Sequence, residues 1–322
     1  MALSASTDFP VTRDDLIKAA LQHIGAIGDG DTPTATQLSE AGLLLNMLIK
    51  NWTTDGMQLW MRYYGYIFPV SGVQKTSLGA EGGNAATAYR WTTTSAASAA
   101  AATTITVTTV TGISNTNIIG VEQSDGTMQW TTVNGAPVGN VVTLTAALTG
   151  DVASGANVYA YATTAKLTRP VDIVEAFRRH SADDSDTPLR EVSNQEYNNL
   201  SSKTEEGAVL QWSYDKVLGF STTGYPGNGD FYFWPRFENG DDVIVIKYIK
   251  EFDDLDSATQ NPEFPQEWFL PIMLGLAWLL SPKNGIPLKE RQLLFQEAQF
   301  YKDLTLDDSV ERTSMYITPA QN

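Results

Sequence analysis

Apolar positions recur at three- and four-residue spacing near both ends of the chain and alternate with polar ones in between. In the first helical stretch, Leu16, Ile17, Ala20, Leu21 and Ile24 form one stripe, the period of an amphipathic helix. Thr12 is the predicted N-cap, its hydroxyl facing the amide of Asp15, with Asp14 and Asp15 at the positive end of the dipole. Gly25 and Gly28 end this helix. A second helix is expected to open with Thr32 as cap and Pro33 in the first turn. It buries Leu38, Ala41, Leu45, Leu48, Ile49 and Trp52, and Leu44 and Met47 widen that face toward a second neighbour. The two helices read as an αα-hairpin.

The period changes between 70 and 165. Lys75 and Arg90 are the only basic residues there, and Thr, Ala, Gly and Val dominate. The tract TTTSAASAAAATT (92–104) is low in complexity and is expected to be a mobile loop or linker. Short alternating runs follow: TITVTTV, IIGVEQS, TMQWTTV, VVTLTAAL and NVYAYAT. Asp125-Gly126 marks a hairpin and Asn134-Gly135 a further turn. Five strands at this spacing predict a small sandwich or barrel, inserted into a helical pattern that is incomplete on either side of it.

From 166 to 252 the strand candidates are VDIVEAFRR, TPLREV, AVLQWSYD, DFYFWPRF and DVIVIKYIKEF. Phe231–Trp234 and Val243–Ile249 are apolar on both faces, which predicts a sheet covered on both sides. Ser193 to Glu196 is a capping pattern that opens a short helix through Leu200. The Tyr, Trp and Phe cluster suits core packing or a ligand box. Pro265, Gln266 and Glu267 start a third long helix, which Ser281-Pro282 and Gly285 stop. Pro271 inside it should kink it or delay its start. Pro287 opens the last helix, with a stripe of Leu293, Leu294, Ala298, Tyr301 and Leu304. An extended tail, 307–322, follows; Met315, Tyr316 and Ile317 either dock on another subunit or fray.

The fold class expected is therefore α+β. A helical bundle of N- and C-terminal helices with a β-sheet region, built from 1–69 and 166–306, carries an inserted all-β domain over 70–165.

Composition narrows the chemistry. The 322 residues contain no cysteine, which removes disulfides, thiolate metal sites and a thiol nucleophile. His23 and His180 are the only histidines, too few for a His-rich metal site without pooling between subunits. The net charge is −16, and residues 166–322 carry 15 basic against 26 acidic groups. Such a chain is a poor DNA binder, since phosphate neutralisation supplies most DNA affinity. The acid either keeps the protein soluble or lines a passage through which DNA slides. The longest apolar run, Trp268–Leu280, falls short of the ~20 residues that cross a bilayer. No secretory leader pattern is evident, so a soluble protein made in a cytoplasm is expected.

No phosphate loop, dinucleotide fingerprint or nucleophile elbow occurs. Asp29–Glu40 has acids at the first, third and twelfth places of a calcium loop but lacks the sixth-place glycine and a ligand at the fifth. Acidic clusters at Asp183-Asp184-Asp186, Glu205-Glu206, Asp241-Asp242 and Asp253-Asp254-Asp256 supply carboxylate pairs. They read as solvated faces, or as the two acids of a glycoside hydrolase acting on cell-wall peptidoglycan. No cofactor, catalytic residue or metal site is expected.

Several segments together resemble a known family. ALQHIG (20–25), the Gly-Asp-x-Pro link (30–33), LLLNMLIKNW (43–52) and a following Asp-Gly are similar to the opening helices of head-to-tail adaptor proteins of tailed bacteriophages. The resemblance is strongest to tail accessory factors, or packaged-DNA stabilisation proteins, of short-tailed phages. LTRPVDIVEAF (167–177), EYNNL (196–200), FYFWPRF, VIVIKYIKEF, FPQEW (264–268) and LGLAWLLSPKNGIP (274–287) continue the likeness. It covers residues 8–69 and 166–306, and the β insert departs from the smallest members. The resemblance implies a virion neck protein, assembled in the host cytoplasm, about a dozen copies of which form a ring below the portal protein. That ring extends the channel for double-stranded DNA without sequence-specific or membrane binding, and carries tail nozzle, tube, fibre or spike proteins. Trp52, Tyr63, Met315, Tyr316 and Ile317 are the expected interface residues. A carbohydrate- or fibre-binding role for the β insert is the further alternative.

Overall fold

The computed structural model describes residues 9–52, 61–79, 82–216 and 227–308. The chain is mixed α+β, with five helices and several sheets among the described residues. It divides into two compact units, one of Met1–Met61 with Phe252–Asn322 and one of Arg62–Glu251. The strands of 166–251 thus belong with the β unit rather than with the terminal helices.

In the first unit, α1 (Arg13–His23) begins at the expected cap. The Thr12 hydroxyl accepts from Asp15 N, and the Asp15 carboxylate accepts in return from Thr12 N at 3.1 Å. Leu16, Ile17, Ala20, Leu21 and Ile24 are all buried. α2 (Ala35–Trp52) starts two residues later than Thr32 predicts. Thr34 is the cap, because Gln37 sits three residues on and its Oε1 returns the bond to Thr34 N at 2.9 Å. Ala41, Leu45, Leu48, Ile49 and Trp52 are buried, but Met47 is exposed, so the second half of the expected wide face is open.

α4 (Phe269–Leu280) is apolar nearly all round and occupies the centre of this unit, packed by α1, α2 and α5 (Leu288–Asp308). A 3-10 turn over Gln266–Trp268 delays its start, which leaves Pro271 in the first turn where no amide bond is lost. Its end is capped by Ser281 Oγ to the Trp278 carbonyl and Asn284 Nδ2 to the Leu280 carbonyl, at 2.6 and 2.9 Å. The two ends of the chain are also tied by backbone. Arg13 N donates to Gln260 O and Arg13 Nη1 to Asp256 O, both 3.0 Å, while Leu255 N donates to Asn46 Oδ1 at 3.1 Å. The predicted single stripe of α5 fails: Ala298 is buried, but Leu293, Tyr301 and Leu304 are exposed.

In the second unit, β1 (Arg62–Ile67), a segment to which the sequence reading assigned no element, is an interior strand. It lies between β15 (Asp242–Lys250) and β3 (Ala85–Ala86) in the sheet β11-β10-β15-β1-β3, with β10 (Pro170–His180) and β11 (Ser185–Pro188). A second sheet joins β12 (Arg190–Glu191), β13 (Gln211–Asp215), β14 (Gly229–Trp234) and β2 (Lys75–Leu78). α3 (Asn194–Asn198) packs on β13, its Ser193 cap accepting from Glu196 N. Ile67, Leu78, Trp212, Phe231, Phe233, Ile244, Ile246 and Tyr248 fill the space between these sheets. The other face of β15, Val243 and Val245, meets Phe68, Tyr159 and Tyr161. That double coverage explains its unbroken apolar run. β14 is covered on one face only, with Tyr232 and Trp234 half-buried.

The strands between 90 and 161 pair only with one another among the described residues. β4 (Arg90–Thr93), β9 (Asn157–Tyr161), β6 (Ile118–Glu122) and β7 (Met128–Thr132) form one sheet, and β5 (Thr104–Thr106) pairs with β8 (Val141–Thr143). Ile105, Val107, Ile119, Val121, Val142, Leu144 and Val158 share a core. Gly126 takes φ +83° in the expected Asp-Gly hairpin. The tract 92–104 is not a free linker. Ser98 and Val152 exchange backbone bonds, and Ala101 N donates to Leu148 O at 2.8 Å.

Candidate interaction surface

Trp52 does not lie on the surface. It is 7% exposed, its ring 6.3 Å from that of Trp268, with Lys302 Nζ 5.2 Å from the ring centroid. Gly275 of α4 lets it approach: a Cβ there would stand 2.9 Å from Trp52 Cζ2. An aromatic on the inner face of an amphipathic helix is a core residue, and Trp52 joins α2, α4 and α5. Tyr63 on β1 is exposed, beside Tyr248. Met315, Tyr316 and Ile317 lie outside the described residues.

The surface the sequence reading did not isolate is on the helical unit. Of the fifteen large apolar side chains exposed among the described residues, ten belong to it. Most sit on α5, which has two apolar sides. Ala298 and Lys302 face inward, both about 5% exposed or less. Leu293, Phe300 and Leu304 follow at spacings of seven and four on the opposite side, and are 53, 62 and 56% exposed. Spacings of seven and four return to one helical face, so this is a continuous stripe. Exposed patches of this kind on a stable unit mark interaction sites. A second open patch combines Leu288 and Phe295 with Trp278, whose ring is 5.0 Å from Phe295. A third is the pair Leu43 and Met47 on α2, each more than half exposed.

Along the α5 stripe run three adjoining depressions. The first, about 230 Å³, is lined by Ile24, Ile286, Glu290, Leu293 and Leu294; it shares His23 and Glu297 with the second. The second, about 570 Å³, adds Met273, Leu274 and Phe300, and shares Leu270 and Tyr301 with the third. The third, also about 570 Å³, adds Pro265, Glu267, Leu304 and Thr305. Together they make one groove walled by α1, α4 and α5.

A polar cleft of about 330 Å³ in the β unit collects the chemistry most like an active site: Arg178, His180, Asp241 and Asp242. Its carboxylates are already engaged. Asp242 forms an ion pair with Arg178, Nε to oxygen 3.3 Å, and a hydrogen bond with His180 Nδ1 at 3.1 Å, which raises the His180 pKa above its ordinary value. Asp241 accepts from Asn157 Nδ2 at 2.9 Å and Asn239 Nδ2 at 2.7 Å. A glycosidase acid needs a carboxyl held protonated near neutrality. Among the described residues the carboxylates with shifted pKa, Asp15, Asp125, Asp183, Asp186 and Asp230, are all shifted down, by bonds that favour the ionised form. Among the described residues no cluster of three or more His, Asp or Glu could hold a metal, and no helix is long and apolar enough to cross a membrane.

The chain matches no protein-family model and no curated protein.

Proposed function

We propose that this chain is a structural subunit of a tailed-phage virion. It is a head-to-tail adaptor that forms a ring below the portal, lengthens the DNA channel, retains packaged DNA and offers tail proteins a platform. The observation that carries this reading is the concentration of exposed apolar side chains on the helical unit built from both chain ends. A catalyst needs one concave, pre-organised site, whereas a ring subunit needs several separate contact patches. A closed ring uses heterologous contacts, in which one surface meets a different surface of the next copy. Leu43 and Met47 of α2, against Trp278, Leu288 and Phe295 of the α4–α5 side, make such a pair. The 90–161 strands act in this scheme as an all-β domain inserted into the adaptor core, set aside for peripheral tail components.

Charge supports the same scheme. The helical unit has 8 basic and 18 acidic residues. That excess repels DNA phosphates from a channel wall and repels like copies in free solution. The subunit therefore stays monomeric until a portal ring presents many sites at once. The test is electron microscopy of the purified chain with its portal ring. An added annulus coaxial with the portal supports the proposal. A bare portal, with turnover of peptidoglycan by the chain, overturns it in favour of a virion-borne hydrolase.

A further inference from the structure

We propose that the groove along α5 is a docking site for a basic, amphipathic α-helix of a different protein. The inference deepens the adaptor reading by naming the kind of segment the adaptor grips, and it rests on that reading only for the partner's identity.

The groove's length and lining select the occupant. It runs beside α5 from Glu290 to Thr305, about 22 Å at ~1.5 Å per residue, which accommodates a helix of about four turns. Leu293, Phe300 and Leu304, with Leu270 opposite, offer holes at the spacing that the i, i+3, i+4 and i+7 side chains of an incoming helix fill. Charge then excludes most candidates. The lining includes Glu267, Glu290 and Glu297 and neither lysine nor arginine. Apart from Lys289 in its first turn, α5 keeps its own cations off this groove: Lys302 is 5% exposed over the Trp52 ring, and Arg291 lines a different depression with Trp278, Leu288 and Phe295. Asp303 and Asp307 lie exposed on the same helix. An apolar floor with an acidic rim favours a helix carrying lysine or arginine beside its apolar stripe. A second copy of this acidic helical unit is disfavoured by the same charges.

The probe is a helical peptide of leucine and lysine about four turns long, compared with one in which glutamate replaces every lysine. Binding to the full chain is measured by fluorescence anisotropy at about 0.15 M salt, where exposed charges act over ~8 Å. The lysine peptide is expected to bind and the glutamate peptide to fail. Phe300→Asp and Leu304→Asp should each weaken lysine-peptide binding by about tenfold or more, as loss of a central anchor does. These variants add negative charge, so attraction to an acidic surface in general would strengthen, not weaken. Leu43→Asp should leave affinity unchanged. Unchanged binding in Phe300→Asp, equal binding of both peptides, or binding of neither overturns the proposal. So does self-association of the chain that Phe300→Asp abolishes, which would make a second copy the occupant. Both exposed positions are read alongside far-UV circular dichroism to verify that α5 stays helical. If a coaxial annulus still forms on the portal while the peptide is ignored, the adaptor reading stands and this one falls.

Discussion

Trp52→Ala probes the joint that makes the two chain ends one helical body. The ring is 7% exposed, touches Trp268, lies against Gly275 and carries Lys302 Nζ 5.2 Å from its centroid. Emptying a buried tryptophan site costs about 3–5 kcal/mol. Collapse is limited here, because α4 on the far side is packed by α1 as well. Loss of a desolvated cation–π contact, itself worth about 2 kcal/mol, keeps the effect off the bottom of that range. A loss of about 4 kcal/mol, spread over a unit of roughly 130 residues at ~2.1 cal/mol/K per residue, lowers its Tm by about 14 °C. Thermal unfolding followed at 222 nm reports mainly this helical unit. The β unit, which does not contain Trp52, should melt as before. A Tm change of only a degree or two would mean that Trp52 lies at a surface and that the α2–α4–α5 joint is misdrawn.

Other outcomes follow from single contacts. Gly275→Val should destabilise the same unit by about 1–3 kcal/mol, since its Cβ would meet Trp52 and Leu48 at 2.9 and 3.0 Å; denaturant titration measures it. Gly65→Val should do the same to the β unit, where a Cβ would stand 2.9 Å from Leu167 Cδ1 and 3.2 Å from Ile246 Cγ1. His180 has a raised folded pKa, so its pairing with Asp242 contributes fully below the unfolded value of about 6.5 and is lost as pH rises through the folded one. At 41% side-chain exposure the contribution is under about 1 kcal/mol, and Asp242→Asn should lower the His180 titration midpoint seen by NMR. Asp186, held down by the two-pronged Arg179 contact, behaves oppositely: its contribution is present above the ordinary aspartate value of about 3.9 and lost as pH falls through the folded pKa.

Local rules that act over a turn were readable in the residues. Thr12 and Ser193 cap the helices their spacing announces, Ser281-Pro282 ends α4, and the Val243–Ile246 run betrays a strand covered on both faces. What escaped depends on distant neighbours. β1 has no clean alternation, because Gly65 is there to admit Leu167, from the segment before β10, and Ile246 of β15. α5 carries two apolar sides, and merging Leu293, Ala298 and Leu304 into one stripe hid the open one. A helical wheel separates these positions, so that signal was present. Trp52 shows the limit: core and interface tryptophans share one sequence pattern, and only the packing of Gly275 and Trp268 distinguishes them.

Sedimentation velocity of the full chain, alone and mixed with its portal ring, reads out whether the subunit assembles only on its template. By itself the chain should sediment as a monomer of 35.1 kDa, and the portal boundary should gain many subunits at once when the two are combined. A stable dimer in isolation, or a portal boundary that sediments unchanged in the presence of the chain, would contradict templated assembly.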